Sequence, residues 1–158
     1  MGVKPIPDGY EAATPYLAVE DAAAAIEFYK EAFGATERVL MHGPDGKIGH
    51  AELAIGDALI MLADPFPGSS TTAPKKLGGT SASVFLYVED VDSVVNRAVK
   101  AGAQVTQEVD DMFWGDRFGS VKDPFGHVWS IATHVKDLTP EEIAEGAKQA
   151  MGAGDMSG

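Results

Sequence analysis

Apolar and polar positions alternate over residues 12–19 and then change period: Ala22, Ala25, Ile26, Tyr29, Ala32 and Phe33 recur at helical spacing until Gly34. The change predicts a short strand, bent near Pro15, followed by an amphipathic helix capped by Asp21 at one end and Gly34 at the other. Alternation resumes over 36–42, 48–55 and 58–63. Gly43-Pro44-Asp45-Gly46 and Gly56-Asp57 separate these runs, both of them turn sequences. The order is one βαβββ unit.

The same order returns. Leu17-Ala18-Val19-Glu20-Asp21 is echoed by Leu86-Tyr87-Val88-Glu89-Asp90, and Gly34-Ala35 by Gly102-Ala103. A strand over 81–88, a helix from Asp90 with Val91, Val94, Val95 and Ala98 on one stripe, and strands over 104–109, 117–122 and 127–133 form a second unit. Five segments follow: an arm over 1–11, modules over 12–63 and 81–134, a linker over 64–80, and a C-terminal helix and tail over 135–158. The linker is rich in Pro, Gly, Ser and Thr and is expected to hold no element. Thr139-Pro140-Glu141-Glu142 has the form of a capping box and starts a last helix running to about Met151, with a disordered tail beyond it.

The 158 residues are enough for a sizeable core, and with no Cys there is no thiolate metal site, disulfide or cysteine nucleophile. The net charge of −12 is scattered over the chain. Such a surface repels phosphate backbones, which argues against nucleic acid, and it would attract a cationic ligand. No apolar run reaches the length of a membrane span, and the opening residues lack a signal-peptide pattern, so a cytoplasmic protein is expected.

The tandem units, with Phe28-Tyr29 and Phe33-Gly34-Ala35 in the first helix and Asp123-Pro124-Phe125-Gly126-His127 in the last hairpin, resemble the vicinal oxygen chelate superfamily. That superfamily includes glyoxalase I, bleomycin resistance proteins, fosfomycin resistance enzymes and extradiol dioxygenases. Trp114-Gly115-Asp116-Arg117 and the run from Asp123 to Trp129 look like its PhnB-like branch. The resemblance implies an α+β fold whose tandem βαβββ modules curve a mixed sheet around a cavity, commonly in a homodimer. It also implies a divalent metal held by His, Gln or Glu on the first and last strands of each module.

The corresponding positions here are Thr14 and Ser83 on the first strands and Met61 and Ser130 on the last. Hydroxyls and a thioether do not compete with water for a hard or borderline cation, so the inherited metal site is expected to be lost and no cofactor is predicted.

Other polar residues remain. A two-residue turn at Gly56-Asp57 sets Glu52 opposite Met61 and His50 opposite Ala63, which puts both on the Met61 face. The pair could hold a relocated metal, act as a base with its orienter, or simply be a hydrogen-bonded pair lining a wet cavity or a dimer seam. The same logic in the second hairpin sets Arg117 beside Ser130, either to take an anionic ligand group or to pair with a carboxylate. Phe113 and Trp114 belong to the loop expected at the cavity mouth. Trp129 has the parity of the core, and His127 belongs to the turn motif.

The expected function is therefore a small-molecule binder of the glyoxalase and bleomycin-resistance type. Its pocket would be formed by Thr14, His50, Glu52, Met61, Ser83, Phe113, Trp114, Arg117 and Ser130 and would hold an aromatic or cationic ligand. The alternative is a metal-dependent lyase, isomerase or transferase using His50 and Glu52.

Overall fold

The computed structural model describes residues 2–154. Asp21 adopts a left-handed conformation (φ 66°) and its carboxylate accepts from the Ala24 N–H, which turns the chain out of β1 (Tyr16–Ala18) into α1 (Ala22–Phe33). Gly34, also left-handed, ends that helix, its N–H donating to the Lys30 carbonyl and the following Ala35 N–H to that of Tyr29. Strands β2 (Thr36–His42), β3 (Ile48–Ile55) and β4 (Ala58–Ala63) complete the first module. The four strands form a sheet in the order β1-β4-β3-β2, with β1 parallel to β4 and the other pairs antiparallel.

The second module repeats this arrangement. Strand β5 (Ser83–Tyr87), helix α3 (Val91–Lys100) and strands β6 (Gln104–Asp111), β7 (Asp116–Lys122) and β8 (Val128–His134) form a sheet in the order β5-β8-β7-β6. Asp90 caps α3 through the Ser93 N–H, as Asp21 caps α1. The expected sheet is thus two separate four-stranded mixed sheets, each with one face on the helices.

Leu53, Ile60, Leu62, Val121, Trp129 and Ile131 line those inner faces, almost wholly buried, and join the apolar stripes of α1 and α3 in one core. The helices pack on each other, and α1 reaches the second sheet through its aromatic side chains. Tyr29 and Phe33 lie 5.0 and 4.5 Å from the Trp129 ring. One aromatic cluster therefore binds two repeats that neither could bury alone.

Three expectations change. The first strand is shorter than 12–19, so Thr14 precedes it. The 64–80 segment contains a short helix, α2 (Pro74–Leu77), because Ala73 and Pro74 are buried beside the hairpin at Gly126, where an added Cβ would lie 2.8 Å from Pro74. The last helix, α4 (Pro140–Gly154), outruns Met151; what remains of the expected disordered tail, 155–158, lies outside the described residues. Its capping box is reciprocal, with Thr139 N–H donating to Glu142 and Glu142 N–H to the Thr139 hydroxyl.

Candidate functional site

Each sheet turns its second face away from the helices. On the first sheet, the registers set Tyr16 and Glu52 on either side of Met61, and His50 two residues along β3 from Glu52. The spacing expected from the Gly56-Asp57 turn is thus observed for Glu52. The side chains form a continuous chain of bonds. Tyr10 donates to Glu52 Oε2 at 2.5 Å, Glu52 Oε1 lies 3.0 Å from His50 Nε2, and His50 Nδ1 lies 2.9 Å from the Tyr16 hydroxyl.

A carboxylate only accepts, so His50 Nε2 is the donor to Glu52, and in the neutral ring Nδ1 is then the acceptor facing the Tyr16 hydroxyl. The Tyr10 hydroxyl, followed by His50, holds the Glu52 carboxyl below the usual carboxylate range. Burial, helped by the Glu52 charge, pushes the Tyr16 phenol up.

On the second sheet Ser130 stands between Phe85 and Ser120. Five rings run across this face and its rim. Tyr87 and Phe85 are 5.1 Å apart, Phe85 and Phe118 5.8 Å, Phe118 and Trp114 5.9 Å, and Trp114 and Phe113 5.0 Å. Phe85 and Tyr87 are 47% and 65% exposed. Beside them Asp116, buried, accepts from Tyr87, Trp114 and His134. Burial raises the Asp116 carboxyl, but these donors outweigh it and the group lies below the usual range.

His134 meets carboxylates at both nitrogens, Asp137 and Asp116, each at 2.8 Å. That geometry requires the doubly protonated ring, and Asp137 first, then Asp116, raises its pKa.

Arg117 is the residue the hairpin argument misplaces. The turn spans five residues, 123–127, closed by Asp123 N–H to the His127 carbonyl and by the Asp123 carboxylate on the Phe125 and His127 N–H groups. The register consequently pairs Ser120, not Arg117, with the Ser130 face. Arg117 pairs with Thr133 and is clamped by Asp92 at 2.7 and 3.0 Å and by Asp111 at 3.1 Å. Its guanidinium is committed to α3, not to a pocket.

The remaining candidates divide between the two sheets. Met61, His50 and Glu52 share the open face of the first; Ser130, Trp114 and Phe113 belong to the second. Ser83 is exposed on β5 and lines a cleft of about 470 Å³ between β1 and β5, together with Tyr16, Phe85 and His127. Half-buried Thr14 lies outside the strands.

The inherited metal positions do not fit a divalent cation, since none of their four side chains is an imidazole or carboxylate. His50 and Glu52 bond each other and two tyrosines, and no group of three His, Cys, Asp or Glu suited to a metal occurs among the described residues.

Sequence reasoning missed Tyr10, Tyr16, Phe85, Tyr87, Phe118, Asp116 and His134. The repeat held a usable signal for two of them, since Phe85 stands opposite Ser130 as Tyr16 does opposite Met61. The arm residue Tyr10 had none.

The model of the glyoxalase, bleomycin resistance protein and dioxygenase superfamily matches residues 12–131. The chain belongs to this superfamily. An uncharacterized protein of Mycobacterium tuberculosis is 46% identical over 135 residues, which are 84% of this chain and 79% of that one. A solved gene product of Arabidopsis thaliana is 32% identical over 78% of this chain and 98% of its own, with a TM-score of 0.61. A PhnB protein from Bacillus cereus, 18% identical over 78% of this chain and 99% of its own, has the same fold with a TM-score of 0.61. Among the described residues of this superfamily member, no helix is long and apolar enough to cross a membrane.

Proposed function

We propose that this superfamily member binds a small planar ligand, aromatic and preferably cationic, on the open face of its second sheet. The observation that carries the reading is the run of five rings from Tyr87 to Phe113, left in contact with solvent beside the Asp116 carboxylate. Exposed rings this close together give a flat ligand stacking area, and their negative faces favour a cation. The net charge of −12 adds a long-range attraction. No cofactor and no nucleic acid are part of the proposal. A cytoplasmic homodimer, which the family likeness implies, is.

Tryptophan fluorescence tests it. Trp129 is fully buried in the core, so a change in emission on adding ligand reports on Trp114. Titration with a panel of planar aromatic cations should give saturable quenching that Trp114→Phe removes. Phe85→Ala should weaken binding about tenfold, the loss of one stacking contact of about 1.4 kcal/mol. A panel that neither quenches nor raises the melting temperature would refute the reading. Sedimentation velocity on the same protein tests the dimer.

A further inference from the structure

We propose that Tyr16 is a nucleophile toward activated acyl groups, with His50 as its general base and Glu52 as the group that orients the imidazole. The three form a directed chain, Glu52 Oε1 to His50 Nε2 at 3.0 Å and His50 Nδ1 to the Tyr16 hydroxyl at 2.9 Å. A nucleophile bonded to a base that is itself oriented by a third group is the arrangement that hydroxyl nucleophiles require. Tyr10 adds a fixed donor to the other Glu52 oxygen, so the carboxylate does not rotate away. Tyr16 also lines the 470 Å³ cleft between β1 and β5, 44% exposed, beside Phe85, Ser83 and three threonines, Thr71, Thr72 and Thr80. That lining suits a small ester or thioester with an apolar acyl group.

The chemistry balances without a further reactant except water. Tyr16 Oη forms a bond to the carbonyl carbon and its proton passes to His50 Nδ1, giving an imidazolium neutralised by Glu52. The carbonyl bond to the leaving group then breaks, and the leaving group takes the proton. Water next attacks the aryl ester, giving its proton to His50; the acyl–Oη bond breaks, the acid departs and Tyr16 regains its proton. The phenol is neutral at rest, the state from which such a mechanism starts.

Tyr87 provides an internal control. It is more exposed than Tyr16 and also hydrogen-bonded, but its acceptor is the Asp116 carboxylate at 2.8 Å. A carboxylate held below its usual range is a far weaker proton acceptor than a neutral imidazole. Exposure alone would make Tyr87 the more reactive; the triad makes it Tyr16.

The test uses phenylmethanesulfonyl fluoride at pH 7.5, with the modified tyrosines quantified by peptide mass spectrometry. Tyr16 should be sulfonylated at least about tenfold faster than Tyr87, a threshold set below the about 10²–10⁴-fold that a positioned base contributes. Glu52→Gln and His50→Gln should each bring that ratio toward one while leaving the Tyr87 rate unchanged. With 4-nitrophenyl acetate the wild type should release a burst of nitrophenolate that Tyr16→Phe abolishes. A wild-type ratio of one or below would overturn the proposal, as would a ratio that survives His50→Gln. The wild-type ratio alone decides it if a variant fails to fold.

Discussion

The Tyr29 hydroxyl, on the helix of the first module, donates to the Asp123 carboxylate in the last hairpin of the second, at 2.7 Å and fully buried. Asp123 also takes the Trp129 indole N–H on the same oxygen and the Phe125 and His127 amides on the other. One carboxylate thereby shapes the turn, orients the central tryptophan and ties the modules together. Burial, then the Asp123 charge, pushes the Tyr29 phenol well above its usual pKa, so it stays a donor.

Asp123→Ala leaves those buried donors without an acceptor and is expected to cost about 3 kcal/mol or more, whereas Tyr29→Phe removes one bond and costs about 1–2 kcal/mol. Urea denaturation of both variants checks this. Equal, small effects would mean that the modules are held by apolar packing alone.

His134 gives the stability a dependence on pH. Its folded pKa is raised, so the folded state binds the proton more tightly than the unfolded chain. The contribution is fully present below about pH 6.5, the unfolded value, and is lost as pH rises through the raised folded value. The melting temperature of the wild type minus that of His134→Gln should be largest near pH 6 and shrink toward pH 9. The Asp137 contact is exposed and the Asp116 carboxylate is buried, so high salt should remove the Asp137 part of the difference and leave most of the Asp116 part. A pH-independent difference would contradict the geometry.

Glu52 has the opposite sign. Its carboxyl is lowered on folding, so it stabilises the fold above the unfolded value and the contribution disappears as pH falls through the folded one. Glu52→Gln should therefore differ from the wild type at neutral pH and converge with it in acid, measured by thermal melts from pH 7 to pH 3.

Gly115 sits at φ 99°, and a Cβ there would lie 2.2 Å from the Lys136 carbonyl oxygen. That carbonyl cannot retreat freely, because Val135 and Lys136 both donate to the Gly115 oxygen. Gly115→Ala should cost about 2–3 kcal/mol through strain and steric conflict. Because the loop carries Trp114, the variant should also shift the indole emission to the red, and an unshifted emission would show that the aromatic wall does not depend on this clamp.

The cap of α4 can be tested alone. Thr139→Ala removes half of a reciprocal capping box and should cost about 1 kcal/mol locally, seen as faster hydrogen exchange over the first turn of the helix. The change should reach Phe113, against which Gly146 packs closely enough that a Cβ would lie 2.9 Å away.

Much of the fold was written in local pattern. The period changes at Asp21 and Asp90, the glycine stops and the Thr139 box act over a few residues, and each produced its element. The short turn at Gly56-Asp57 also carried the register, setting Glu52 beside Met61. The failures came where distance along the chain was bridged. The 123–127 turn hides a fifth residue inside a motif that reads as four, and that one residue sends Arg117 to α3 and brings Phe118 onto the open face. The linker's short helix exists because Pro74 docks on Gly126, a contact no linker composition announces.

The amino-acid sequence by itself determined the two βαβββ repeats, the ends of α1 and the start of α3, the core stripes and the absence of metal-ligand side chains at the four inherited positions, because each follows from residue type and local period. Only the tertiary structure decided that Tyr10 reaches Glu52, that Tyr16 and His50 complete a bonded chain, and that five rings from three separate segments form one surface. Those relations depend on how strands far apart in the chain are aligned, and a shift of one residue reverses every side chain on a strand.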